Sequence, residues 1–161
     1  MTNHCGSCTA CCRVFAIPEL EKPAGKWCQH CAIGNGCKVY DARPEVCVQF
    51  ECLWLQSQKR EPAEQMPAAL RPDKCKVVFS MSTNTHIMTA ITMPGAPTAW
   101  ERPAVRAVID KLVKHGVSVS VGAPGQTNQT FISRDGVKQI RMTEPDADGM
   151  MWSIPEQELT K

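Results

Sequence analysis

The sequence has no long apolar run, no block of like charge and few aromatic side chains. Nothing in its 161 residues approaches the roughly 18 consecutive apolar residues that a helical membrane span needs. With 18 Lys+Arg against 16 Asp+Glu the net charge is only +2, and no Lys/Arg tract occurs. That balance argues against a nucleic-acid groove or an anionic membrane as partner. Aromatics make up 6% of the chain, too few for a platform that stacks single-stranded bases. The N-terminus MTNHCGSC lacks a basic start, an apolar stretch and a cleavage signal. No secretory peptide is therefore expected, and a cytoplasmic location is. There is no Ser/His/Asp order, no phosphate-cradling glycine loop and no HExxH pattern, so nothing indicates an enzyme.

What the chain has in excess is cysteine. Nine of its ten cysteines (Cys5, Cys8, Cys11, Cys12, Cys28, Cys31, Cys37, Cys47 and Cys52) fall within the first 52 residues, and only Cys75 lies beyond. Four of them crowd into CGSCTACC. A reducing compartment disfavours structural disulfides, so such clusters more often bind metal or do redox chemistry. Ten in 161 is also short of the ~8–10% typical of a disulfide scaffold. The first 58 residues carry few large apolar side chains and cannot easily bury a core of their own, so they need a staple. A bound structural zinc supplies roughly 10–16 kcal/mol, which would be folding energy here.

The spacing fits that reading. Cys5-x2-Cys8 and Cys28-x2-Cys31 are 19 residues apart, within the range of paired zinc knuckles. Cys8-x2-Cys11 with the same second pair also fits, so the pairing stays open. A CxxC turn points two sulfurs inward, and zinc takes four ligands at about 2.3 Å. Nine cysteines exceed one such site. Cys37, Cys47 and one or two of Cys11, Cys12 and Cys52 can form a second, or all can serve one polynuclear centre. His4 and His30 sit beside ligand candidates and can substitute. An iron–sulfur cluster competes, because CxxCxxC at 5, 8 and 11 matches the first ligands of a ferredoxin run. The fourth departs, with Cys12 following at once. Cys75 is expected at the start of a strand, in the core. Met81, Met88 and Met93 are also expected in the core, since no copper-type loop surrounds them.

The stretches CGSCTACC and WCQHCAIGNGCKVYDARPEVCVQFECLWL resemble the CxxCxxCC cysteine-cluster family, described as zinc- or iron-chelating proteins. The shared pattern runs through Cys5, Cys8, Cys11, Cys12, Cys28, Cys37, Tyr40, Arg43, Pro44 and Cys47. It covers roughly residues 5–52, with Cys31 and Cys52 as additions of a subgroup, and does not extend to residues 76–161. The resemblance implies metal chelation by those cysteines and no particular reaction. Flagellin lysine methylases carry a similar cluster held to be iron–sulfur, which keeps iron in play. Arg43 is the expected cation beside the centre, with Arg13 and Lys38 nearby, because a tetrathiolate zinc site is anionic and must be tempered. Tyr40, the only tyrosine, is expected to pack against the cluster.

The expected fold is α+β: a metal-stapled cysteine-rich region with short helices, then a mostly antiparallel sheet with one packed helix. Its boundaries are 1–58 for the cysteine-rich region, 59–74 for a linker and 75–161 for a β-β-α-β-β-β layer. Within the first part, residues 41–56 read as one helix from the spacing of Val46, Phe50, Leu53 and Trp54. Hairpins are expected over 76–93 and 129–142, the latter around Asp135-Gly136, with a strand at 117–121. A helix over 101–115 carries the stripe Val105, Val108, Ile109, Leu112 and Val113 and stops at Gly116. The tail from Glu144 is expected to pack through Met151, Trp152 and Ile154.

Taken together, these features predict a cytoplasmic protein that chelates Zn2+ structurally, at one or two sites. A closed four-thiolate site leaves no position for a reacting water. A [4Fe–4S] or other iron centre, acting in electron transfer or beside an oxidoreductase, is the first alternative. A metal chaperone or sink is the second. The C-terminal layer would offer a surface to a protein partner or small ligand.

Overall fold

A computed structural model describes residues 5–82, 85–144 and 153–154. The chain is α+β. Its centre is a five-stranded sheet of β3 (Val77–Met81), β4 (Met88–Thr92), β5 (Val119–Gly122), β6 (Asn128–Ser133) and β7 (Gly136–Arg141). The strands lie side by side in chain order. Every pairing is antiparallel except β4 with β5. A parallel neighbour cannot be reached by a tight turn, so the chain crosses over through a helix, α5 (Pro103–Lys114). Pro103 occupies its first turn, where no N–H is needed. Gly116, at φ +89°, ends it in a conformation that penalises other residues.

Two apolar clusters form, one on each side of the sheet. Alternate residues of a strand face opposite ways, so Val77 and Phe79 join α5 while Val78 faces back. The α5 side buries Val77, Met88, Ala90, Val105, Ile109, Val119 and Ile132. Each buried valine, isoleucine or methionine among them contributes about 1.5–3 kcal/mol on leaving water. The back side collects Val78 and Met93 with Ala10 and Val14, flanked by Phe15, Phe50, Cys52 and Ile91. The cysteine-rich region thus rests on the back of the sheet, and packing crosses the expected boundary at residues 58–75.

Local order in that region comes in small pieces. They are α1 (Cys11–Val14), a short hairpin of β1 (Cys31–Ala32) and β2 (Gly36–Cys37), α2 (Glu45–Gln49) and α3 (Leu53–Ser57). The continuous helix expected over 41–56 does not form. Phe50 (ψ 127°) and Cys52 (ψ 161°) are extended and split it into α2 and α3. The break lets the two halves face different neighbours. Leu53 and Trp54 turn to the α5-side core, Phe50 and Cys52 to the back cluster, while Val46 and Val48 stay exposed. Pro44 precedes α2 and is not in its first turn. The β1–β2 hairpin was expected as loop: two-residue strands are too short for periodicity to show.

Residues 59–74 hold two 3-10 turns, Pro62–Glu64 and Ala68–Leu70, and the start of α4 (Pro72–Cys75). Leu70 and Met66 pack into the main core. Cys75 is buried as expected, but it closes α4 rather than opening β3, and its thiol donates to the Leu70 and Val77 carbonyls. Both C-terminal hairpins form where the alternation places them; the last turns at Arg134-Asp135, because Gly136 already pairs with Ser133. Met88 and Met93 are buried, whereas Met81 is 42% exposed. Ser153 bridges Met142, and the Ile154 N–H donates to the Arg141 carbonyl. Met151, Trp152 and His4 lie outside the described residues. No described helix is long and apolar enough to cross a membrane.

Candidate metal centre

Turns and hydrogen bonds gather the cysteines. The Cys8 N–H donates to the Cys5 carbonyl and the Cys31 N–H to the Cys28 carbonyl, closing both expected CxxC turns. The Cys12 carbonyl accepts from the Cys28 N–H, which joins the first turn to the second. The Gly34 N–H donates to Thr9 Oγ1 and ties in the β1–β2 loop. Gly36 sits at φ +120° with its missing Cβ only 3.2 Å from the Gly6 carbonyl, so a side chain there would push the hairpin off the first turn.

The result is a cavity of about 420 Å³. Seven cysteines from separate segments line it: Cys5, Cys8, Cys11, Cys12, Cys28, Cys37 and Cys47. Phe15, Ile17, Leu20, Val39, Phe50 and Leu55 make the wall largely apolar, and Tyr40, Arg43 and His30 also face it. The seven are the cysteines of the CxxCxxCC pattern. Cys31 and Cys52 stand outside the wall: Cys31 pairs across β1–β2 with Cys37, and Cys52 packs into the back cluster. All ten cysteines are free. Among the described residues, no three of His, Cys, Asp or Glu converge closely enough to hold an ion as they stand.

The thiols are not equivalent. Burial raises the pKa of Cys5, Cys8 and Cys47. Cys11 is raised well above its usual value, first because its thiol hydrogen bonds to Cys12 and then by burial. Burial and the neighbouring Cys12 push Cys31 up to about 12, and burial takes Cys52 to about 11. Cys12 goes the other way, to about 6: the Cys11 thiol donates to it, the Cys31 thiol adds to this, and the Lys22 ammonium lies near. Hydrogen bonds to the charged form outweigh desolvation there.

Arg43 and Lys22 lie beside the cluster, and Arg13 lines a neighbouring pocket with Trp27. Arg43, the expected one, is half-buried, its guanidinium 3.6 Å above the Tyr40 ring centroid, and its Nε is buried without a hydrogen-bond partner. Arg13 stacks 5.2 Å from the Trp27 ring centroid, and its Nε is likewise buried and unpartnered. Lys22 was not anticipated. It is only 8% exposed, and its ammonium donates to the carbonyls of Arg13 at 3.2 Å, Pro23 at 3.1 Å and Phe15. Burial draws its pKa down, while Cys28, Cys12, Cys11 and Cys47 would draw it up when ionised. Among the described residues, none of the three has a carboxylate partner; the ion pairs present are Lys59–Glu51, Arg71–Asp73 and Arg106–Asp110. Nothing in the sequence around Lys22 marks it, because lysine is ordinarily a surface residue. Lys38 is exposed.

Buried cations call for a counter-charge. Here the groups able to supply it are thiolates, and a metal ion is what keeps several neighbouring thiols ionised together. The donor set therefore fits a thiophilic metal: soft sulfur ligands, an apolar enclosure and cations to temper it. Comparison with known proteins finds no matching family model, no similar curated protein and no similar solved structure.

Proposed function

We propose that this protein binds metal through its cysteine cavity, with Zn2+ held structurally in a cytoplasmic, reducing setting. The observation that carries the reading is the placement of seven cavity cysteines beside Lys22 and Arg43, cations without acidic partners among the described residues. Cys5, Cys8, Cys11, Cys12, Cys28, Cys37 and Cys47 would be the ligands. Binding would turn their sulfurs inward and release thiol protons, which burial otherwise retains on Cys5, Cys8 and Cys47. When bound, zinc supplies cross-linking between segments that share little apolar contact. The resemblance to the CxxCxxCC family supports the same reading. Iron is the second reading. It is favoured by the breadth of the cavity, which exceeds one ion, and by its apolar wall, which suits a cluster shielded from water.

Elemental analysis and an absorption spectrum of anaerobically purified protein test this. Stoichiometric zinc in a colourless protein, lost on Cys28→Ser, supports the first reading. Iron with acid-labile sulfide in a brown protein supports the second. Protein that neither retains nor takes up zinc or iron, with every thiol free, overturns both.

A further inference from the structure

The seven cavity cysteines are one too few for two independent tetrahedral sites and three too many for one. Seven is the number needed when two four-coordinate ions share a single sulfur. The arrangement around Cys12 meets that condition.

Cys11 and Cys12 open α1, and successive helical side chains leave the axis about 100° apart. A vicinal pair therefore diverges, unlike a CxxC pair, and reaches into two parts of the cavity. On one side of Cys12 are Cys5, Cys8 and Cys11, all from the first loop; Cys5 and Cys11 both lie within its electrostatic reach. On the other side are Cys28, Cys37 and Cys47, from the second turn, β2 and α2. Cys12, Cys28 and Cys37 all act electrostatically on Cys47. The backbone joins the two groups at the same place, through the Cys28 N–H on the Cys12 carbonyl at 3.0 Å.

Resting on the thiolate reading above, we infer that the cavity holds two metal ions that share the Cys12 sulfur. Cys5, Cys8, Cys11 and Cys12 surround one ion, and Cys28, Cys37, Cys47 and Cys12 the other. The thiol protons of the ligands leave to solvent as metal–sulfur bonds form, and no electron moves. Two divalent ions with seven thiolates leave three negative charges, which Lys22, near Cys12 and Cys28, and Arg43, near Cys5 and Cys47, help to balance. Cys31 is then not a ligand. It lies outside the cavity wall, paired across the short hairpin with Cys37. Cys52 stays in the back cluster as a small apolar side chain.

The test is to load reduced, metal-free full-length protein with 113Cd2+, a spin-active substitute for zinc. Native mass spectrometry should count two ions per chain. Cadmium NMR should show two tetrathiolate resonances, each split by the other through the shared sulfur. Cys12→Ser should lose the splitting and at least one ion, whereas Cys31→Ala and Cys52→Ala should keep both. One ion per chain overturns the inference and leaves the metal-binding reading standing, as do two unsplit resonances. No bound ion at all overturns both. Because the splitting is read in the unaltered protein, a Cys12→Ser chain that fails to fold does not remove the test.

Discussion

On the α5 side of the sheet the side chains that hold the fold are out of water altogether: Val77, Ala90, Ile109 and Val119 are 0% exposed. In the cysteine-rich region Val46 and Val48 are 44% and 49% exposed, and α1, α2 and α3 have four or five residues each. Helices that short are not stable on their own. The first region is held by apolar burial spread over many contacts. The second leans on the sheet through a few side chains, chiefly Val14 and Phe50, and holds the rest by hydrogen bonds. Cysteine is concentrated where aliphatic residues are sparse.

Removing metal should open that contrast widest. With a strong chelator, amides of the β1–β2 hairpin should lose protection in hydrogen exchange, while β3 to β6 keep theirs. The scale is set by structural zinc, roughly 10–16 kcal/mol. Unchanged exchange across Cys31–Cys37 would mean that apolar packing alone holds the region. Next in size is Ile109→Ala, which should cost about 2–5 kcal/mol through the cavity left under α5. It should lower the denaturation midpoint and leave metal content as it was. A loss of metal in that variant would show that the two regions stand or fall together.

A smaller effect concerns Cys12 in metal-free, reduced protein. Its thiolate is favoured by donors, which place its pKa at about 6 against an ordinary 9.0. Alkylation by iodoacetamide should therefore reach half-rate near pH 6 at Cys12, with Cys5, Cys8, Cys11 and Cys47 reacting only at higher pH. The sign for stability follows. A depressed folded pKa contributes stability that is complete above pH 9, declines on acidification and is gone below about 6. Equal alkylation rates at all the cavity cysteines would remove the distinction between Cys12 and its neighbours.

How far the sequence could be read varies by region for physical reasons. Val105, Ile109 and Leu112 recur at helical spacing because one face of α5 is buried, and the β3–β4 and β6–β7 alternation is visible because each strand has an inside and an outside. The split at Phe50–Cys52 was hidden. Local spacing there fits one helix, and only the competing pull of two separate apolar clusters breaks it. The cavity cysteines could be named from CxxC spacing. That seven line the wall while Cys31 and Cys52 do not depends on strand register and on the back of the sheet. Arg43 could be suspected from its place beside Cys47. Lys22 could not, since its burial depends on three backbone carbonyls, two of them in residues far from it along the helix turn and loop.

By itself the sequence determined the α+β class, the succession of strands and helix along the C-terminal layer and the cysteines that could serve in chelation. These depend on periodicity and spacing, which are properties of neighbours along the chain. Tertiary structure alone decided the sheet order with its one parallel pairing, which sulfurs share a cavity and that Lys22 is buried. Those depend on distances through space, which a chain acquires only when its segments pack.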